Sequence, residues 1–179
     1  QCKNDLNENL TIVSSPLPEV VISGGGSICD DGSETDIIFT ITSGVPPYDL
    51  NFSAGVTSFS RSNIGNIYTH STNLSGIYTI QELTDNKGCK ASSISGSAYV
   101  NINPLPEANI SAYPQPANII NPQISFIDLS NDHINGIWDF GDGDSIYTNF
   151  DRIIHTYNDT GTYQVSLTIE SDSGCTDIA

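Results

Sequence analysis

The stretch Ile137-Trp138-Asp139-Phe140-Gly141-Asp142-Gly143-Asp144-Ser145 sets three carboxylates and two glycines between two runs of β-forming residues. Glycines permit tight turning, so the stretch predicts a strand over 136–140, a turn, and a second strand over 145–148. The aspartates have two readings. Asp139, Asp142 and Asp144 could cap backbone N–H groups in a structural turn. They could equally gather oxygens around a hard cation such as calcium, although the spacing is not that of an EF-hand loop.

Outward from this hairpin the same texture covers the chain. No window shows apolar residues at the helical spacing between caps. Short β-rich runs alternate with clusters such as Gly24-Gly25-Gly26, Pro46-Pro47 and Asn86-Lys87-Gly88. This pattern predicts an all-β sandwich or barrel. Expected strands lie over 19–23, 36–42, 48–52, 57–61, 67–70, 76–85 and 95–103, then over 108–112, 123–128, 136–140, 145–148 and 161–170.

An internal repeat organises these strands. Ser15-Pro16-Leu17-Pro18-Glu19 returns 88 positions later as Asn103-Pro104-Leu105-Pro106-Glu107. Gly76-Ile77-Tyr78-Thr79-Ile80 is echoed by Gly161-Thr162-Tyr163-Gln164-Val165. Cys2-Lys3 returns as Cys89-Lys90, and Lys87-Gly88-Cys89 as Ser173-Gly174-Cys175. The frame makes 1–18 the last strand and linker of a preceding module, 19–104 a complete module, and 105–179 a second whose final strand is cut off. A slice through a longer tandem array, begun one strand before its first whole module, is the expected origin. The proline joins act as semi-rigid spacers, and neighbouring modules of the same long chain are the expected partners.

Four cysteines allow three full pairings. The frame favours Cys29 with Cys89, both inside the complete module. On the chain-entropy model such a bridge adds about 4 kcal/mol. Cys2 and Cys175 are then left without partners in their own modules. No C-x-x-C spacing suggests zinc.

The 179 residues carry 21 Asp plus Glu against 5 Lys plus Arg, a net charge of −16. With no adjoining cations there is no surface to neutralise phosphates, so nucleic acid is excluded as a partner. No apolar run is long enough for membrane insertion as a helix. The few lysines, the Asn- and Ser-rich texture and the cysteines favour a secreted, oxidising setting. His70, His133 and His155 are the only histidines, and no nucleophile elbow, phosphate loop or H-E-x-x-H occurs. The chain is therefore expected not to be an enzyme, and to need no cofactor beyond the calcium considered above.

Trp138-Asp139-Phe140-Gly141-Asp142-Gly143, with Ser125-Phe126-Ile127-Asp128-Leu129-Ser130, His155-Thr156-Tyr157 and Gly161–Ile169, resembles the PKD (polycystic kidney disease) domain family across about 105–179. The resemblance implies an Ig-like β-sandwich with Trp138 in the core and Tyr163 at a tyrosine corner, with Tyr78 as its counterpart in the first module. It also implies that the aspartates are mostly structural, though some members bind calcium. The first module resembles the Ig-like repeats of large cell-surface proteins of gliding Bacteroidetes, exported by the type IX secretion system. There Asp144-Ser145-Ile146 would match an O-glycosylation pattern at Ser145. The function expected is a spacer or adhesive shaft of a bacterial cell-surface adhesin linked to gliding or adhesion. The alternative is an accessory module of a secreted hydrolase, holding a surface polysaccharide or protein ligand. For that role Tyr48, Tyr68, Tyr99, Tyr113 and Tyr147 are the available aromatics.

Overall fold

A computed structural model describes residues 15–117, 120 and 122–179, so residues 1–14, with Cys2 among them, lie outside the description. The described residues form two compact units. The first comprises 15–26 and Glu34–Asn101, the second Ser27–Ser33 and Ile102–Ala179. The second boundary falls near the expected join at 104, but the short segment Ser27–Ser33 groups with the second unit.

Unit 1 is built from β1 (Glu19–Cys29, whose last three residues belong to unit 2), β2 (Thr35–Ser43), β3 (Tyr48–Ala54), β4 (Thr57–Ile64), β5 (Ile67–Thr72), β6 (Gly76–Asp85), β7 (Ser93–Gly96) and β8 (Ala98–Asn103, whose last two residues belong to unit 2). Their order is β4-β3-β6-β8-β1-β2-β5, with β7 added parallel to β1. Alternation sends Ile37, Phe39 and Ile41 of β2 and Tyr48, Leu50 and Phe52 of β3 inward. On β6 the buried apolar residues are Tyr78 and Leu83, five apart, which strict alternation forbids. A register shift opposite Asn51 and Phe52 supplies the extra residue. Phe59 of β4 and His70 of β5, from the two ends of the strand order, pack with ring centroids 4.8 Å apart. The Arg61 Nε–H donates to the Tyr68 hydroxyl at 2.7 Å across the same meeting. The sheet thus closes on an aromatic core.

Unit 2 holds β9 (Ile110–Tyr113), β10 (Gln123–Asp128), β11 (Asn135–Asp139), β12 (Ser145–Thr148), β13 (Arg152–Thr156), β14 (Ser166–Glu170) and β15 (Thr176–Ile178). They form a three-stranded sheet, β13-β10-β9, and a four-stranded one, β12-β11-β14-β15. Between the sheets lie Phe126, Trp138, Phe140, Tyr157, Leu167 and Ile169. Two facing layers around one apolar core are the β-sandwich architecture. The fold is all-β among the described residues, as expected.

Strands depart from expectation in three ways. The strand expected to stop at Ser23 runs on through Gly24-Gly25-Gly26 to Cys29. Those glycines permit close approach rather than a break: a Cβ on Gly25 would stand 2.3 Å from the Tyr99 carbonyl oxygen. The expected strand over 161–170 begins only at Ser166, and β13 and β15 arise where none was expected.

The disulfide pairing also differs. Cys29 is bonded to Cys175, with Cα atoms 5.7 Å apart, and Cys89 is a free thiol. The reason is the path of β1. Its end at Cys29 lies in the segment that packs with unit 2, whereas Cys89 lies in a turn of unit 1. The expected Cys29–Cys89 bridge is therefore replaced by one joining residues 146 positions apart.

Candidate functional site

The turn between β11 and β12 closes through the Phe140 N–H, which donates to the Asp144 carbonyl at 3.1 Å. Asp139 Oδ1 accepts the Gly141 N–H at 2.9 Å, and Asp142 Oδ1 accepts the Asp144 N–H at 3.1 Å. Each aspartate caps the backbone two residues on, which is why short acidic side chains suit this turn. Gly141 holds φ at 75°, and a Cβ there would stand 2.4 Å from the Gln164 carbonyl oxygen. Only glycine fits.

His155 enters from β13. Its Nε2 lies 2.7 Å from Asp142 Oδ2. An ionised carboxylate can only accept, so the Nε2–H donates. This bond is the main cause holding the Asp142 carboxyl below the usual carboxylate range, with the Asp144 N–H adding to it against partial desolvation. The imidazole stacks on Phe140 at 4.0 Å and meets Tyr157 edge-on at 4.6 Å. The Tyr157 hydroxyl in turn donates to the Phe140 carbonyl at 3.0 Å. Burial first, then the charge of Asp142 and the neighbouring Tyr163, push the Tyr157 phenol up to about 12.

Asp142, Asp144 and His155 offer ligand atoms that all lie within 4.8 Å of one another. This is not the expected trio. Asp139 is outside the group, and His155, which the sequence reading did not count among the ligands, is inside it. An imidazole in the set suits a borderline divalent metal better than calcium, which prefers oxygen donors. Both oxygens of Asp142 already accept hydrogen bonds, so the group is complete as a structural network. The resemblance named His155 in its H-x-Y element, but nothing in the sequence paired it with the turn.

Trp138 and Tyr78 are fully buried, as expected of core residues. Tyr163 is half-buried, packed against the core cluster and stacked on Tyr157 at 4.3 Å. Its hydroxyl donates to the Asp159 carbonyl at 3.0 Å, and the Tyr78 hydroxyl donates to the Leu74 carbonyl at 2.8 Å. Both reach four residues back, the bond of a tyrosine corner. Ser145 is exposed at the start of β12.

Other candidates are placed as follows. His70 sits among Phe52, Phe59 and Tyr78, and His133 pairs with Asp128 at 3.0 Å. Tyr48 is buried and unavailable to a sugar, while Tyr99, Tyr113 and Tyr147 are exposed. A cavity of about 490 Å³ in unit 2 is lined by Ile124, Phe126, Tyr157, Asp159, Tyr163 and Val165 among others. Among the described residues its lining contains no histidine, cysteine or lysine. No helix among the described residues is long and apolar enough to cross a membrane.

Residues 101–178 match the PKD domain family. A structure of the fibronectin(III)-like modules of Clostridium thermocellum CbhA is similar at 15% identity and a TM-score of 0.42, covering 88% of each chain. No curated protein sequence matches the chain.

Proposed function

We propose, from the PKD domain at residues 101–178, that this chain is a non-catalytic extracellular repeat segment, the spacer or adhesive shaft of a large bacterial cell-surface adhesin. The observation that carries the reading is the duplicated construction. Each unit pins its G-x-Y tyrosine to a carbonyl four residues back, and each closes the following strand with the same G-C turn. Repetition of a self-contained sandwich gives reach without new chemistry. The disulfide fits an oxidising, extracellular location. A net charge of −16 keeps neighbouring copies soluble and discourages edge-to-edge pairing.

Export by the type IX system, a role in gliding and a glycan on the exposed Ser145 belong to the same reading and rest on the resemblance in the sequence. So does calcium at Asp139, Asp142 and Asp144. A melting curve unchanged from EDTA to millimolar calcium ends that last element.

The deciding experiment uses an antibody raised against this chain. It is expected to label the surface of intact producing cells and to precipitate a much longer chain containing further copies of the module. Precipitation of a released hydrolase carrying this segment beside a catalytic domain overturns the shaft and favours an accessory substrate-binding module.

A further inference from the structure

Cys29 is the last residue of β1, and Cys175 directly precedes β15. The bond between them joins positions 146 apart. Among the described residues, β2 through β14 lie wholly inside the loop so closed, and only β1 and β15 lie outside it. The pairing expected from the repeat, Cys29 with Cys89, would have left β7 through β14 outside as well.

Both anchors are held by backbone hydrogen bonds. Next to Cys29, the Asp30 N–H donates to the Asn103 carbonyl at 2.9 Å. The Ser171 N–H donates to the Cys175 carbonyl at 2.8 Å, and the Cys175 N–H to Ser171 Oγ at 3.2 Å. Cys175 is 1% exposed, so a dissolved thiol has little access to its sulfur. β1 runs for 11 residues between β8 and β2. An extended strand already spans nearly the full reach of its chain, so it has little slack to give up under tension.

From this connectivity we infer that the Cys29–Cys175 bond has a mechanical function, a bypass for tension. Load applied to the chain ahead of Glu19 and beyond Ile178 runs along β1, crosses the sulfur–sulfur bond and leaves through β15. Force favours a conformation only in proportion to the extension it gains. Unfolding inside a closed loop gains none between the points of pull. β2 through β14, and the surfaces they present, therefore keep their fold while the shaft is stretched. The inference deepens the shaft reading and rests on it, since only a chain pulled from both sides has use for a bypass.

The test stretches this chain, one molecule at a time, between handles at its two ends. Outside the loop are 28 residues ahead of Cys29 and 4 beyond Cys175. Without reductant, extension is expected to stop at about 120 Å, the reach of those residues. With a phosphine reductant, the same chain should yield about 500 Å more as the loop opens. Cys89→Ser should behave as the parent sequence in both conditions. Equal extension with and without reductant overturns the inference alone: the crosslink is then absent or without effect on what the chain yields. A second arm takes the longer parent from producing cells in a thiol-alkylating reagent. Cys29 and Cys175 are expected joined and unalkylated, and their alkylation overturns the inference while leaving the shaft reading intact. A parent that proves to be a released hydrolase overturns the shaft reading, and the bypass with it.

Discussion

His155 Nε2 and Asp142 Oδ2 lie 2.7 Å apart, joining β13 of one sheet to the turn that links β11 and β12 of the other. The bond ties the two layers of unit 2 together at one end, and it depends on an ionised Asp142. Because the folded carboxyl sits below its ordinary value, its contribution is complete above the usual carboxylate range and is lost as pH falls through the folded value. The Asp142→Asn variant is expected to melt a few degrees below the parent at pH 7, the gap narrowing towards pH 3. Thermal melts followed by Trp138 fluorescence across that range check it.

Tyr157 predicts the opposite limb. Its phenol, pushed up to about 12, stays neutral in the fold while an unfolded tyrosine ionises near 10. Its contribution is therefore complete below about pH 10 and disappears as pH rises towards 12. Ultraviolet titration should show Tyr157 lagging the exposed tyrosines, together with Tyr48, whose phenol is also pushed up by burial and the Asp85 charge. Tyr157→Phe should remove the Tyr157 share of that late step. Leaving the Phe140 carbonyl without its donor should also cost about 1–3 kcal/mol in urea unfolding.

His70 adds an acid sensitivity in unit 1. Burial lowers its imidazole value, Arg61 lowers it further, and Glu34 acts the other way. An unfolded chain takes up the proton first, so stability is complete above about pH 6.5 and declines below it. His70→Phe should flatten the pH dependence of the unit 1 melting transition between pH 5 and 7. A slope unchanged in the variant would place the acid sensitivity elsewhere.

The disulfide prediction is independent of pH. Non-reducing peptide maps of this chain should join Cys29 to Cys175. Cys175→Ser should destabilise unit 2 by about 2–4 kcal/mol. Cys89→Ser should leave the melting of the isolated chain unchanged, since Cys89 is a free thiol there.

The paired tyrosines should differ in degree. The Tyr78 hydroxyl bonds both the Leu74 carbonyl and Thr72 Oγ1, at 2.8 and 2.9 Å, within a fully buried site. Tyr163 keeps a single bond at a half-buried position. Tyr78→Phe is expected to cost about 1–3 kcal/mol and Tyr163→Phe about 0.5–1.5. Denaturant melts of the two variants would show a reversed order if the exposure argument were wrong.

The all-β class, the hairpin at 136–148, the buried Trp138 and the repeated tyrosine were written in local sequence. Alternation, glycine turns and repeat spacing act over a few residues and need no knowledge of the rest of the chain. The passage of β1 through three glycines was not so written, because whether glycine breaks a strand or admits a neighbour depends on what packs beside it. From that one path follow the grouping of Ser27–Ser33 with unit 2 and the choice of Cys175 over Cys89. His155 is the same case at the site. Thirteen positions separate it from Asp142, and only the pairing of β13 with β10 brings imidazole and carboxylate together. Composition and periodicity set the elements and the two modules. Long-range packing alone set which cysteine, and which histidine, each element would meet.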